Sequence, residues 1–225
     1  MIKTKKLIII GDSAFAEIAQ EYFNYDSEFE VVAHAVEQSH ITKSHLNNIE
    51  IIPFENIVHK FPPSEFYIYV AIPYTNLNRL RTRLKNEAKD KGYKLASYIS
   101  SRAFLWHNVQ LGEHIFIFED NTIQPFVTIG DNSILWSGNH IGHHSHIGEN
   151  VFISSHAVIS GFCNIGNNCF IGVNSTIANN VTIKTDCWLS PNSVIMKDTE
   201  ENILYKASPS EASGISTTTY FKVPR

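Results

Sequence analysis

The chain has 225 residues, 43% of them hydrophobic, and a formal net charge of −4 at pH 7. This length accommodates one sizeable domain or two small ones, and the slightly acidic balance gives no electrostatic basis for binding nucleic acid or an anionic membrane. No apolar run approaches the roughly 20 residues that a membrane-spanning helix needs, and the three cysteines follow no disulfide pattern, which predicts a reducing, cytoplasmic location.

Strand-like and helix-like segments alternate between residues 5 and 98. The apolar run at residues 7–10 is shorter than the roughly 7–15 residues of a signal-peptide core, so it predicts a buried first strand that ends at Gly11. A helical segment (SAFAEIAQEYF) follows, with Ser13 as candidate N-cap. VVAHAV, IIP and FYIYVAIP predict further strands, and NLNRLRTRLKNEAKDKGY predicts a charged amphipathic helix. This alternation is typical of a small parallel sheet covered by helices.

From residue 99 onward, an aliphatic side chain recurs at every sixth position. The positions, all Ile or Leu, are Ile99, Leu105, Leu111, Ile117, Ile123, Ile129, Leu135, Ile141, Ile147, Ile153, Ile159, Ile165, Ile171, Ile177, Ile183, Leu189 and Ile195. Neither an α-helix nor an alternating strand repeats at six, whereas a parallel β-helix with three six-residue segments per coil does. Residues 18 apart should therefore stack in adjacent coils, about 4.8 Å apart.

Two further positions of the six-residue segment often hold small residues. The fourth residue after the aliphatic is often small, and Cys163, Cys169 and Cys187 all fall there, which predicts that they pack inside the prism. The residue directly after the aliphatic is glycine at positions 112, 130, 142, 148, 166 and 172, where we expect tight corners that favour a residue without Cβ.

The segment NHIGHHSHIG concentrates histidines within the repeat. His143 and His144 lie at a corner, whereas His140 and His146 end their six-residue segments. Stacking at intervals of 18 places five residues in one column along this corner: His107, Pro125, His143, Gly161 and Asn179. The spacing alone thus predicts that Gly161 lies one coil above His143.

Segments such as IGENVF, IGNNCF and IGVNST resemble the left-handed parallel β-helix of hexapeptide-repeat acyltransferases. The whole chain is similar to one branch of them, which includes sialic-acid O-acetyltransferases and N-acetyltransferases of nucleotide-linked amino sugars. The resemblance implies an α/β plus all-β fold: a Rossmann-like nucleotide-sugar-binding subdomain at residues 1–98, the β-helix at 99–199 and a C-terminal tail at 200–225. It also implies a homotrimer with active sites between subunits, and the Ser- and Thr-rich tail is a candidate to wrap a neighbouring subunit.

The resemblance assigns roles at the histidine corner. It implies that His143 is the general base, a task that imidazole, with an ordinary pKa near 6.5, can perform at neutral pH. It implies that Gly161 offers its backbone N–H to the thioester carbonyl of acetyl-CoA. Phe152, Val173 and Pro191 are the other positions that it assigns to acetyl-CoA, although Phe152 replaces a histidine and Pro191 a glycine of the bacillosamine-type relatives.

The loop GDSAFAE follows the first predicted strand. It lacks the G-x-G-x-x-G fingerprint, which disfavours NAD, yet a loop that opens a helix presents N–H groups suited to a pyrophosphate. The resemblance implies nucleotide-sugar contacts at Gly11, Asp12, Ser13, Ala14 and Phe15, and Glu37 after the second strand is a candidate for the base or ribose.

The expected activity is acetyl transfer from acetyl-CoA to the amino group of a nucleotide-linked 4-amino-4,6-dideoxyhexose, for surface glycan synthesis. One alternative is O-acetylation of a sialic-acid-type sugar, and another is a non-catalytic scaffold. A zinc hydratase similar to γ-class carbonic anhydrases is a distant alternative, because His107 and His143 have the required 36-residue separation but Gly148 stands where the third ligand belongs. No metal site is therefore predicted.

The residue after the expected base departs from the pattern of the bacillosamine-type relatives. Those proteins place an acidic residue there, whereas this chain has His144. An orienting carboxylate for His143 would have to come from elsewhere, and Asp120 and Glu149 are both candidates.

Overall fold

The computed structural model of the protein describes residues 2–224 and begins with a mixed α/β layer. Its elements are β1 (Lys5–Ile10), α1 (Ala14–Asp26), β2 (Phe29–Val36), β3 (His45–Leu46), β4 (Ile49–Pro53), α2 (Ile57–Lys60), β5 (Phe66–Val70), α3 (Arg79–Asp90) and β6 (Lys94–Leu95). The strands form one sheet in the order β3–β4–β2–β1–β5–β6, and every pair is parallel except β3–β4. The apolar run of β1 is fully buried, as expected for a central parallel strand.

The third helix of this layer, α3, begins later than its pattern predicts. Asn76, Leu77 and Asn78 all have positive φ (52°, 48° and 67°), so α3 starts only at Arg79. Leu77 therefore lies before the helix rather than on its apolar face. None of the helices within residues 2–224 has the length and apolar character that a membrane span requires.

Very short strands follow at intervals of six residues. They are β7 (Tyr98–Ile99), β8 (Phe104–Leu105), β9 (Gln110–Leu111), β10 (Phe116–Ile117), β11 (Thr122–Ile123), β12 (Thr128–Ile129), β13 (Ile134–Leu135), β14 (His140–Ile141), β15 (His146–Ile147), β16 (Phe152–Ile153), β17 (Val158–Ile159), β18 (Asn164–Ile165), β19 (Phe170–Ile171), β20 (Thr176–Ile177), β21 (Thr182–Ile183), β22 (Trp188–Leu189) and β23 (Val194–Ile195), with β24 (Leu204–Tyr205) and α4 (Thr217–Tyr220) beyond them. Each strand from β7 to β23 pairs in parallel with the strand 18 residues away, for example His140 with Val158, whereas β24 pairs with β22 at a separation of 16. The predicted parallel β-helix and its register are confirmed.

The strands form three faces of a prism. Face one contains β7, β10, β13, β16, β19, β22 and β24; face two contains β8, β11, β14, β17, β20 and β23; face three contains β9, β12, β15, β18 and β21. The second residue of each strand points inward. These aliphatic residues are buried from Ile117 to Ile195, whereas Ile99 in the first coil is 37% exposed. Cys163, Cys169 and Cys187 are buried in the same interior, as predicted.

Glycine follows the aliphatic for a different reason from the one expected. The φ values of those six glycines are not positive, so the corner itself does not demand glycine there. Instead, the next coil is too close: a Cβ on Gly142 would lie 2.5 Å from the Gly161 nitrogen. The left-handed conformation occurs two residues later, and asparagine, which tolerates it well, holds many of those positions: Asn132, Asn150, Asn168, Asn174, Asn180 and Asn192.

The N-terminal layer packs on face one. The outward residues of that face are all large and apolar: Tyr98, Phe116, Ile134, Phe152, Phe170 and Trp188. They share a core with Phe15, Phe23 and Tyr69 of the N-terminal layer. Apolar residues on both surfaces thus join the two parts of the chain.

A buried polar contact also joins the two parts. His114, which is fully buried, accepts a hydrogen bond at Nε2 from the Val70 N–H (2.8 Å) and donates from Nδ1 to Asn132 Oδ1 (2.8 Å). Burial, together with the charge of Arg81, lowers the pKa of His114 to about 3. The ring is therefore neutral, which its role as an acceptor at Nε2 requires.

Candidate functional site

The edge between faces two and three carries the predicted base and the predicted glycine. His143 is exposed, and its ring lies directly against Gly161 of the next coil. A Cβ on Gly161 would lie 2.9 Å from His143 Cε1 and 3.0 Å from Nε2, so only glycine leaves room for the ring in this position. The structure thus brings these two residues together, as their spacing predicts.

The backbone N–H of Gly161 is not a free donor. It donates to Asn179 Oδ1 at 2.9 Å, just as Glu149 N–H donates to Asn167 Oδ1 at 2.9 Å. Because only the oxygen of an amide side chain can accept, this bond leaves the exposed Asn179 Nδ2 group facing away from the Gly161 nitrogen. In this structure Asn179 therefore occupies the peptide N–H that was expected to be open, and the role of Gly161 stays a prediction. The sequence feature that could have indicated this contact is the position of Asn179, 18 residues after Gly161.

The immediate partners of His143 are a glutamine and a histidine. Its backbone N–H donates to Gln124 Oε1 (2.9 Å), and its Nδ1 lies 3.1 Å from His144 Nδ1. Within residues 2–224, no carboxylate forms a hydrogen bond or an ion pair with His143. Asp120, one of the two carboxylates considered, pairs with Arg102 at 3.2 Å instead.

The other residues assigned to acetyl-CoA lie elsewhere on the prism. Val173 and Pro191 are both exposed and are 18 residues apart, on the edge between faces one and two. Phe152 is only 3% exposed because its ring stacks on Phe170 (centroids 5.5 Å apart) and meets Tyr74 edge-on (5.1 Å). Most of the Phe152 side chain therefore belongs to the contact with the N-terminal layer, and its assignment to acetyl-CoA stays a prediction.

A small cavity nevertheless adjoins Phe152. It has a volume of about 230 Å³, and Tyr74, Trp136, Phe152 and Val173 contribute to its wall. Phe152 and Val173 are thus brought together, whereas Gly161 is on a different edge. The apolar column on face one was the sequence signal that Phe152 is covered.

The predicted nucleotide loop borders a second cavity, of about 340 Å³. Gly11, Asp12 and Glu37 line it at the carboxyl ends of β1 and β2. Gly11 is required here, since its φ is +125° and a Cβ would lie 3.0 Å from the Ala71 oxygen. The backbone N–H groups of Ser13, Ala14 and Phe15 make no hydrogen bond within the described chain, so they remain available to an anion.

The structure restricts two of the predicted nucleotide contacts, Phe15 and Glu37, and leaves the Ser13 side chain free of a capping bond. The Phe15 ring is 5% exposed and lies in the aromatic core, so only its backbone can face a ligand. Ser13 is the N-cap of α1, but its side chain makes no capping hydrogen bond. Glu37 is held by Arg83 through two contacts of 3.0 and 2.9 Å, and this bonding lowers the pKa of the Glu37 carboxyl. Arg83, which also lines the cavity, was not anticipated.

The chemistry of the remaining candidate groups is limited. Burial raises the pKa of the Cys169 thiol to about 12, so a thiolate nucleophile is disfavoured at neutral pH. Among residues 2–224, no three side chains of His, Cys, Asp or Glu are grouped in a way that could hold a metal ion within one chain.

Comparison with known proteins agrees with this architecture. Residues 126–161 and 144–179 match the family model described as bacterial transferase hexapeptide (six repeats). No curated protein matches the sequence.

Several solved structures share the fold over most of their length. A mutant of perosamine N-acetyltransferase from Caulobacter crescentus, in complex with CoA and GDP-perosamine, has a TM-score of 0.80 at 21% identity. The match covers 91% of this chain and 94% of the mutant's chain. The acetyltransferase domain of PglB from Neisseria gonorrhoeae, in complex with acetyl coenzyme A, has a TM-score of 0.80 at 20% identity, with 89% and 95% covered. WeeI from Acinetobacter baumannii has a TM-score of 0.75 at 17% identity, with 89% and 96% covered. The chain therefore carries bacterial transferase hexapeptide repeats, and the predicted left-handed parallel β-helix with a Rossmann-like N-terminal subdomain is confirmed as its fold.

Proposed function

We propose that the protein transfers an acetyl group from acetyl-CoA to the amino group of a nucleotide-linked 4-amino-4,6-dideoxyhexose. The observation that carries the proposal is the exposed His143 ring, packed against Gly161 on an open edge of the β-helix. The likeness to structures that contain CoA and GDP-perosamine supports the choice of substrates.

In the proposed reaction, the amine attacks the thioester carbonyl while His143 Nε2 accepts the proton that the amine loses. The C–N bond forms, the C–S bond breaks, and the sulfur of coenzyme A leaves and is protonated. Gly161 allows the acyl group to approach the ring closely because it has no side chain. Since the Gly161 N–H is bound to Asn179 Oδ1, the exposed Nδ2 group of Asn179 is the donor that we propose for the developing oxyanion.

The nucleotide is proposed to occupy the 340 Å³ cavity beside Gly11. Its diphosphate would accept hydrogen bonds from the unpaired N–H groups that open α1, where the helix dipole also favours negative charge. Arg83 and Glu37 bond each other and line the same cavity, and we propose that they contact the base or ribose.

The acetyl-CoA site is proposed to lie between two copies of the chain. Gly161 is on one edge of the prism, whereas Val173 and Pro191 are on another. A single ligand that contacts both sets would do so most directly where the edge of one copy adjoins the neighbouring copy. This supports a homotrimer with active sites between subunits.

The direct test measures coenzyme A release with dTDP-, UDP- and GDP-linked 4-amino-4,6-dideoxyhexoses. We expect turnover with one of them, and a loss of at least about 100-fold in kcat for His143→Ala, because the general base is removed. His107→Ala is the matched control, since it lies on the same edge two coils away and should retain activity. Near-full turnover by His143→Ala would contradict the proposal.

The purified protein and its reaction product also distinguish the alternative functions. Mass spectrometry of the acylated sugar distinguishes an amide from an ester and thus N-acetylation from O-acetylation. A zinc hydratase would contain stoichiometric zinc after purification without chelators and would depend on His107. Thermal shift with each nucleotide sugar identifies the ligand without turnover, since a true ligand stabilises the folded state.

A further inference from the structure

His143 and His144 form a hydrogen-bonded pair of imidazole rings. Their Nδ1 atoms are 3.1 Å apart, and the rings are nearly perpendicular, at 89°. In such a contact one nitrogen must donate its proton while the other accepts with its lone pair. The contact therefore requires the two neutral rings to be opposite tautomers, one protonated on Nδ1 and the other on Nε2.

The His144 ring is held in place from both sides. It stacks between Phe126 (centroids 4.5 Å apart) and Phe162 (4.8 Å), which lie one coil below and one coil above it. All three residues have positive φ, of 65°, 58° and 59°, at corners where other edges of the prism use asparagine. Phe126 and Phe162 are 57% and 53% exposed, so this stack stands on the surface beside His143 rather than in the core.

The other side of His143 is fixed as well. Phe162 meets its ring edge-on at 5.1 Å and 90°, and the Phe162 N–H donates to the His143 oxygen. The His143 atoms closest to Gly161 are Cε1 and Nε2, so Nε2 faces the place where the proposed acyl group lies. The nitrogen that must be unprotonated for base catalysis is thus the one opposite His144.

We propose that His144 is a positioning residue for His143: its Nδ1 lone pair accepts the His143 Nδ1–H, which leaves the lone pair of His143 on Nε2. The proposal rests on the function proposed above. When His143 takes up the proton of the amine at Nε2, its Nδ1–H still donates to neutral His144, so the contact persists through the reaction. The neutral His144 ring accepts this hydrogen bond in place of a carboxylate, and its stacking between Phe126 and Phe162 holds the ring in position.

Two variants separate the hydrogen bond from the stack. His144→Phe continues the column of rings but removes the acceptor. His144→Asn retains an acceptor oxygen and suits the left-handed backbone, but it removes the ring. With acetyl-CoA and the nucleotide sugar, we expect kcat to fall by about 10- to 100-fold in His144→Phe with KM little changed, and to be largely retained in His144→Asn. Full activity of His144→Phe, or equal losses in both variants, would overturn the proposal.

The tautomer is measured independently of catalysis. In protein labelled with 15N-histidine at about pH 8, where an ordinary imidazole is neutral, NMR distinguishes a protonated from an unprotonated ring nitrogen, and His143→Ala identifies the His143 signals. We expect His143 to carry its proton on Nδ1 in the wild type and to become a mixture of tautomers in His144→Phe. A proton on Nε2 in the wild type would refute the pairing. If the expected tautomer is found but no sugar is acetylated, the pairing is supported and the proposed function fails.

Discussion

The contact between His143 and Gly161 leaves no space for even one additional carbon. In Gly161→Ala the new Cβ would lie 2.9–3.0 Å from Cε1 and Nε2 of His143, so the ring must move away from the acyl site. Because φ of Gly161 is not positive and the obstacle is a side chain, the fold should tolerate the change. We expect kcat to fall by about 100-fold or more, as for loss of a correctly placed base, with little change in thermal stability.

Gly166→Ala provides the contrast at another edge. Its Cβ would lie 2.5 Å from the Thr185 nitrogen, which is backbone and cannot rotate away. This variant should lower the melting temperature clearly, and any loss of activity should follow the loss of folded protein. A Gly161→Ala enzyme with wild-type kcat would show that the ring and the glycine do not share an acyl site.

At the scale of single residues, the sequence predicts where a residue lies in the β-helix better than it predicts which hydrogen bonds its side chain makes. The 18-residue period was enough to place Gly161 on His143, because backbone register alone decides it. It did not predict that Asn179 binds the Gly161 N–H or that His144 contacts His143, because both bonds depend on side-chain rotamers. The period places a residue at a corner but does not say which way its side chain turns.

At the scale of elements, His114 makes the contact between β5 and the first coil dependent on pH. Its pKa is lowered to about 3 in the folded protein, below the value of 6.5 expected when unfolded. Below pH 6.5 the unfolded chain therefore binds one more proton, and stability falls as pH falls. Between pH 7 and pH 5 we expect this residue to cost about 2 kcal/mol of unfolding free energy.

Denaturant unfolding of the wild type and His114→Asn at the two pH values measures this cost. Asparagine suits the left-handed backbone of residue 114 (φ 60°) and does not titrate, so the variant should be less stable at pH 7 but lose less on acidification. Equal losses in the two proteins would mean that His114 does not carry the effect.

The sequence pattern predicts some helices and strands better than others. The β-helix strands were predictable because an aliphatic residue at every sixth position has no other simple explanation. The start of α3 was not, since three consecutive residues with positive φ, from Asn76 to Asn78, interrupt an otherwise helical pattern. The apolar column on face one is visible in the sequence and would have indicated which side is covered, but the six-residue period of the inward residues drew attention away from it.

For the whole molecule, face two is a prism face with exposed apolar residues on its outer side. Phe104, Val158 and Val194 are 53%, 40% and 65% exposed, and Thr122, His140 and Thr176 lie between them in the stack. Exposed apolar residues on one face are typical of a subunit interface. We expect a trimer by size-exclusion chromatography with light scattering.

Val158→Glu tests this interface, because burying an unpaired carboxylate there would be costly. We expect it to dissociate the trimer and to abolish acetyl transfer together, since the site is proposed to need two copies. Lys94→Glu, a charge change on the exposed β6, should leave both properties intact. A monomeric wild type with full activity would rule out the shared site.

Because the coils stack in register, the number of residues in the β-helix sets the height of each side chain along the prism. An insertion of 18 residues in the β-helix would raise everything above it by one coil, about 4.8 Å, and return each side chain to its original edge. An insertion of six would turn the upper part by a third of a revolution and separate His143 from Gly161 if it fell between them. The height of the proposed reaction centre relative to the nucleotide cavity would therefore change in whole coils, and each added coil would need new face-one residues that pack against the N-terminal layer.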